Sequence, residues 1–445
     1  MSDELFFSRR EMLRRGASLL SAAATVPLFL DRTALALSGP SDSPGPKRKT
    51  RNDASRILVV VQLAGGNDGL NTVVPIGNDR YYQSRPSLAI RKDDALSINA
   101  DLAFPKSAEG LKSLYDDGLL AVVQGVGYPN PNRSHFVSTD IWSTADPEER
   151  IHNGWLGRYF DCECKGSARP DPKSGIALTQ ESPLAMQGAR FSPVSFNSPE
   201  ELSWRGPAAH GRGMAAFNKL NQSKRKNTRK TEAPLDQAGA LAYLERMAMD
   251  ARASAEEIQR ATGIDGANSR NQGFRFRFQN RGRGGELGQK LEMVKRMIAA
   301  GLDARVYYVS MGGFDTHAQQ AGRHQTLITQ LGEALKDFTL SLKADGLLDR
   351  VTIMTFSEFG RRVAENGSQG TDHGAAAPLF IVGSSVRPGL HGEHPSLEPA
   401  DLDAGDLKWQ VDFRSIYTAV LSDWLKADAA KVLGGEYSKA ALFRV

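Results

Sequence analysis

Cysteine is nearly absent from this chain. Its 445 residues hold two, Cys162 and Cys164, separated by a single glutamate. A disulfide across one intervening residue is strained and labile, and the spacing lacks the second pair that a structural zinc site needs. A disulfide framework and a thiolate metal centre are both excluded. Also missing are the G-x-S-x-G elbow of ordinary esterases, the P-loop and the glycine fingerprint of dinucleotide sites. No apolar run reaches the roughly 20 residues that a membrane-spanning helix needs. Net charge is small, +5, and no nucleic-acid module accompanies it, so nucleic acid is not expected as a partner. What remains, at 40% hydrophobic and 24% charged residues, is the composition of a globular protein.

The N-terminus carries Ser8-Arg9-Arg10-Glu11-Met12-Leu13, a twin-arginine pattern, then a modestly apolar stretch, Gly16 to Leu30, and Ala34-Leu35-Ala36, which resembles a cleavage site. Residues 1–36 are therefore expected to be a signal peptide read by the twin-arginine translocase, with the mature chain starting near Leu37 in the periplasm or outside the cell. Residues 37–56, rich in proline, serine and charge, read as a linker, and 57–445 as a single domain. Two basic stretches short of aliphatics, 210–233 and 268–285, read as loop insertions. They are either solvated surface or a contact for anionic envelope polymer or lipid. Between them, residues 238–262 show helical spacing, and the alternation of Phe274, Phe276 and Phe278 fits a strand edge.

Five short apolar runs bounded by glycine read as buried strands: Ile57 to Leu63, Leu119 to Gln124, Val306 to Met311, Val351 to Phe356 and Pro378 to Val382. Helical patterns cover Leu287 to Gly301, Ala321 to Ala344 and Ser134 to Ala145, with further helices after Asp412. Alternating strand and helix implies parallel pairing through crossovers. In open α/β sheets the ligand site lies outside the carboxyl ends of the strands.

Polar clusters sit at those ends. AGGNDGLN brings Asn67 and Asp68, GGFDTH brings Asp315 and His317, SEFGRR brings Glu358, and GTDHG places Asp372 and His373 just before the last run. Acids and imidazoles without thiolate suit one or two divalent ions, Zn²⁺, Mn²⁺, Mg²⁺ or Ca²⁺. Plainer roles exist for each: Asp68 as a turn former, Asp315 as a helix cap with His317 packed on it, Glu358 as an ion pair to Arg361. Of Asp372 and His373, either ligates while the other bonds from behind. Ser134 is a nucleophile or a plain N-cap. At a helix N-terminus the dipole favours an anion, and a divalent ion can activate a serine without a histidine base. Beside it, Arg133 can fork onto an oxyanion, and His135 can serve as ligand or acid.

The segments VVVQLAGGNDGLNTVVP, NPNRSHFVSTDIW, NGWLGRYFD, VYYVSMGGFDTH, TFSEFGRR and GTDHGAAAPLFIVG span residues 57–383. They resemble a family of bacterial twin-arginine-exported proteins of unknown function, the DUF1501 family, which is placed in the alkaline-phosphatase and sulfatase superfamily. The resemblance implies an alkaline-phosphatase-like three-layer α/β/α sandwich with a mostly parallel central sheet. It also implies hydrolysis of phosphate or, in second place, sulfate esters of small molecules, glycans or lipids, by a nucleophile beside two metals. In that pattern Asp68 matches the first acid, Ser134 the nucleophile, and Asp315 and His317 the middle pair. Glu358 stands in place of a later Asp-His pair, and His373 in place of the last histidine. The middle pair is spaced two apart rather than four and Glu358 lacks a histidine neighbour, which suits a reduced site with one ion. Pro129 stands where a formylglycine sulfatase needs Cys or Ser. Two other functions fit the same sequence. One is a non-catalytic envelope or extracellular-matrix protein that binds anionic polymer or a co-exported partner. The other is a transferase moving a phospho-group onto envelope glycan or lipid.

Overall fold

The structure, a computed structural model, describes residues 56–163, 170–202, 254–262 and 283–444. The expected signal peptide, the linker up to residue 55, the basic stretch 210–233, most of the stretch 268–285 and the Phe274–Phe278 alternation lie outside the described residues. Contacts divide the described residues into two compact units, one within 56–195 and 283–444, the other 196–202 and 254–262. In the second unit the described residues form a 3-10 turn, Pro199–Leu202, and a helix over 254–262.

The first unit holds, in chain order, strands β1 (Ile57–Leu63), β2 (Ala95–Ser97), β3 (Ala103–Pro105), β4 (Leu120–Gly127), β5 (Gly175–Leu178), β6 (Val194–Ser195), β7 (Val306–Met311), β8 (Val351–Phe356), β9 (Ala377–Val382), β10 (Gly389–His391) and β11 (Val411–Asp412). Its helices are α1 (Asp79–Ser84), α2 (Glu109–Asp116), α3 (His135–Thr144), α4 (Trp155–Glu163), α5 (Gly285–Ala299), α6 (Gln320–Ala344), α7 (Phe413–Ala419) and α8 (Ala429–Leu433). The β-branched runs became strands where predicted, and glycine ends two of the helices. Gly301 and Gly346 both take the left-handed conformation that a side chain disfavours, φ +77° and +67°.

Strands β2 and β3 pair with each other; the rest form one sheet in the order β10-β4-β9-β8-β1-β7-β5-β6, with β11 also paired to β4. All its pairings are parallel except the two made by β9. The strand–helix alternation predicts β9 as parallel too. Residues 357–376 contain no helix, and without a crossover the chain returns beside β8 in the opposite direction.

Both faces of this sheet are covered. Leu58, Val60, Tyr308, Met354 and Phe356 pack with residues of α3, α4, α7 and α8 in one core cluster. Their neighbours Val59, Val61, Tyr307, Val309 and Ile353 alternate to the opposite face and are equally buried. Helices α2, α5 and α6, which pack on one another, cover that side against β4 and β7. The result is a mixed α/β unit around a large, mostly parallel sheet, and burial on both faces explains why the strands read as continuous apolar runs.

Strand β1 lies between β7 and β8, paired Leu58 to Val306 and Ile57 to Val351. Neighbouring strands are about 4.8 Å apart, so the loops that leave these three strands emerge side by side. Strand β4 shares their direction and leads into α3, and the segment entering β9 arrives at the same edge. Four connections, those after β1, β4 and β7 and the one between β8 and β9, thus meet at one end of the sheet. Close approach there requires glycine. A Cβ on Gly65 (φ +118°) would stand 2.3 Å from the Asp315 nitrogen, and one on Gly370 2.2 Å from the His317 carbonyl.

Candidate metal centre at the sheet edge

At this edge three imidazoles face one carboxylate. The distances from Asp315 Oδ1 are 3.1 Å to His317 Nε2, 3.2 Å to His373 Nε2 and 3.5 Å to His135 Nε2. His317 Nε2 and His373 Nε2 are 2.9 Å apart. Each residue arrives on a different support: Asp315 and His317 on the loop after β7, His135 at the start of α3, His373 on the segment before β9.

The far nitrogens of the rings each meet an acceptor. His135 Nδ1 donates to Glu358 Oε1 at 2.7 Å, His373 Nδ1 lies 2.8 Å from the Arg133 carbonyl, and His317 Nδ1 3.2 Å from Asp372 Oδ1. Those oxygens can only accept, so His135, whose buried Nε2 has no hydrogen-bond partner, carries its proton on Nδ1 and turns the Nε2 lone pair inward. His317 and His373 face acceptors on both ring nitrogens, Asp315 Oδ1 being the inner one. Burial holds His373 below its usual pKa against the pull of the Arg133 carbonyl and Asp315, so its ring is neutral at neutral pH. Burial alone would raise Asp315, but hydrogen bonds from Arg361 and His373 outweigh it and hold the carboxyl at about 2.

Ligand atoms of His135, Asp315 and His373 therefore lie within 4.8 Å of one another, with His317 Nε2 beside Asp315 and His373 and Arg361 Nη2 2.8 Å from Asp315 Oδ1. With metal–ligand bonds of about 2.0–2.1 Å, tetrahedral donors stand roughly 3.3 Å apart, close to the 3.2 and 3.5 Å from Asp315 Oδ1 to the Nε2 atoms of His373 and His135. The donor set fits a divalent ion, and outer partners that fix each Nδ1 are what histidine ligands need. Phe359 backs the cluster, its buried ring 4.8 Å from that of His135 and 4.6 Å from that of His373. The other side is open: the side chains of Asp315 and His317 are 49% and 44% exposed.

The remaining candidates stand around this centre rather than in it. Glu358 makes no ion pair with Arg361. Its Oε1 accepts from His135 and from the Gly65 amide at 2.8 Å, which places it behind His135. Asp372, held below its usual pKa chiefly by the Asn366 amide, sits behind His317 rather than beside it. Asp315 does not cap a helix, since α6 begins only after Gln319. Ser134 occupies the N-cap of α3, yet its hydroxyl makes no capping bond and is exposed; Asn132 Oδ1 instead accepts from its amide. The Arg133 guanidinium is not free to meet an oxyanion, because Nε and Nη2 both donate to the buried carboxylate of Asp406.

Asp68 belongs to a second, closed network. Its side chain is fully buried and pairs with Arg85, also fully buried, at 2.6 Å. Gln320 donates to the same oxygen, Oδ2, while Oδ1 has no hydrogen-bond partner. Arg85 also donates to the carbonyls of Val363 and Arg362 and to Asn71 Oδ1, which Tyr81 bonds as well. His324 Nε2 donates to Asn67 Oδ1 at 3.1 Å. Burial would raise Asp68, but the charge and hydrogen bonds of Arg85 hold it below its usual range. The first acid of the expected set is thus taken up by an arginine.

Arg85, His324, Gln320 and Phe359 were not singled out by the sequence, and nothing local marks them. Arg361 stood in a quoted motif without its role. It donates to the carbonyls of Gly65, Gly66, Phe314 and Thr371 and so ties three loops together under Asp315.

A profile described as "Protein of unknown function (DUF1501)" matches residues 121–421, more than half of the chain. No functionally curated protein matches. Among solved structures, the lipoteichoic acid synthase LtaP from Listeria monocytogenes is similar at 10% identity and a TM-score of 0.31, over 82% of this chain and 73% of that one. The sulfatase PsFucS1 from Pseudoalteromonas sp. is similar at 9% identity and a TM-score of 0.34, over 94% of this chain and 78% of that one. Likeness at that level says nothing of what this chain acts on.

Proposed function

This chain belongs to the DUF1501 family, and on that premise we propose that it is an exported metal-dependent hydrolase of phosphate or, in second place, sulfate esters. One observation carries the reading: ligand atoms of His135, Asp315 and His373 lie within 4.8 Å of one another, with His317 Nε2 3.1 Å from Asp315 Oδ1, while every Nδ1 is tied to an acceptor. Asp315, His135 and His373, with His317 beside them, would hold the ion, and a set richer in imidazole than in carboxylate would favour Zn²⁺ or Mn²⁺ over Mg²⁺ or Ca²⁺. When bound, the ion supplies positive charge to polarise the ester oxygens and lower the pKa of the attacking hydroxyl.

The chain's own residues do the rest. Glu358, Asp372 and the Arg133 carbonyl keep the imidazoles neutral and aimed inward. Phe359 and Arg361 keep them from turning away. Ser134, exposed and free of a capping bond between two residues that touch the cluster, is the nucleophile the chain offers. Arg133 and Arg362, drawn together by Asp406, add positive charge nearby. The twin-arginine segment at residues 8–13 supports delivery to the periplasm.

Metal analysis of the exported protein, followed by a panel of phosphate and sulfate esters with Asp315→Ala and Ser134→Ala, tests this. Stoichiometric metal and turnover that both variants lose are the expected results; full activity in Asp315→Ala ends the metal role. A second reading draws on Asp68 and Arg133, which Arg85 and Asp406 withdraw from chemistry: a non-catalytic envelope protein that keeps one ion. Metal-loaded protein that binds anionic polymer and turns over no ester establishes that reading instead.

A further inference from the structure

One exposed apolar side chain adjoins the centre in sequence. Among the described residues only two large apolar side chains are exposed, Phe136 at 85% and Leu340 at 40%. Leu340 lies near the end of the long helix α6, and a single exposed leucine is ordinary. Phe136 is different in position. It follows His135 directly and stands two residues after Ser134, in the first turn of α3. Side chains on a helix lean toward its N-terminus, so a ring in the first turn reaches past the helix start, on the side where Ser134 lies. Within the described structure it stacks on no other ring and joins no core cluster, whereas the next residue, Val137, packs into the core.

An aromatic ring contributes most when its large apolar surface leaves water. Phe136 gains none of that from folding. We propose that Phe136 is a substrate-contacting residue, and that the esters this centre takes carry on their alcohol part a ring with an apolar face, aryl or pyranose. The proposal rests on the ester-hydrolase reading and adds the substrate class. The charged head meets the Asp315 cluster while the ring of the alcohol covers Phe136. An alcohol without a ring leaves Phe136 in water and gains nothing there.

Binding tests this apart from turnover. Metal-loaded wild-type protein is titrated calorimetrically with methylphosphonate, phenylphosphonate and a pyranose 6-phosphonate, none of which can be hydrolysed. At least one ring compound is expected to bind about tenfold more tightly than methylphosphonate, from burial of one phenylalanine face; which one does so decides between aryl and sugar. In Phe136→Ala that ratio falls to about one with metal content unchanged, and in Phe136→Trp it is kept. A ratio of one in wild type, or an undiminished ratio in Phe136→Ala, overturns the ring proposal and leaves the hydrolase standing. If the wild type binds no phosphonate at all, both fall together.

Discussion

Asp68 and Asp315 follow neighbouring parallel strands, each in a glycine-rich loop, and each is held ionised by a buried arginine. Around Asp68 the space is closed, and the groups that face it are donors, Arg85 and Gln320. Around Asp315 the space is half open, and three of the four groups that face it are imidazole nitrogens, which can turn a lone pair to a cation. The same residue types thus give an internal strut in one place and a vacancy of charge in the other. What separates them is whether the acceptors are matched, and the chain settles that with residues far from either motif.

Four substitutions or conditions can break that contrast. Asp315→Ala has the largest expected effect. Turnover falls on the order of a thousandfold or more, matching the several kcal/mol a bound cation supplies, while the melting temperature of metal-free protein moves only a few degrees. Assays and calorimetry on apo and loaded protein read both numbers; a large apo destabilisation with metal retained would show that Asp315 is a strut as well. Asp68→Asn should do the reverse. Breaking a fully buried ion pair costs about 3–5 kcal/mol, so the denaturant midpoint drops while the folded fraction keeps its metal. Metal loss in folded Asp68→Asn would merge the two regions into one.

Acid addresses the closed network next. His324 is fully buried, and burial, with Arg85 and Arg361 adding to it against Asp68, lowers its pKa to about 4. An unfolded histidine titrates near 6.5, so between about 6.5 and 4 the unfolded chain binds a proton that the folded one refuses. Stability therefore falls as pH drops through that window, by on the order of 3 kcal/mol, and then levels off as far as this group is concerned. Asp68, lowered in the folded state, works in the same direction further down, its contribution being lost below the ordinary carboxylate range. Unfolding curves of wild type and His324→Gln across pH 7 to 4 measure the first effect, and equal slopes for the two proteins would rule His324 out. The smallest effect is expected for Glu358→Gln. It leaves His135 in place but frees its tautomer, so metal affinity falls about ten- to a hundredfold, and a chelator competition that detects no change removes Glu358 from the site.

Much of the fold was legible because it rests on local signals. β7 and β8 start and stop at the residues where their apolar runs start and stop, and glycine marks the ends of α5 and α6. The reversal of β9 was missed because pairing direction depends on a crossover that 357–376 does not provide. At the site, sequence named Asp315, His317, His373 and His135, which the structure places at one sheet edge. It did not order them. Glu358 and Asp372 look like ligands in the chain and lie one residue deeper in space, since period and spacing carry no information on which oxygen reaches a ring nitrogen. Arg85 was invisible for the same reason. A buried arginine is recognised by its partners, and here those partners, Asp68 and Asn71 on one side and the carbonyls of Arg362 and Val363 on the other, come from two distant stretches of the chain.

Arg361 carries a consequence for how the molecule comes to be. Its guanidinium finds acceptors on loops that follow β1, β7 and β8, the farthest of them, on Gly65, 296 residues away in sequence. None of those carbonyls is in reach until all three strands lie side by side, and closing loops of that length is the slow part of assembling a parallel sheet. The centre is therefore among the last features to form and among the first to come apart. On the proposed metal reading, acquisition of an ion would double as a report that assembly is finished, and the ion would lock the loops by the free energy of its own binding.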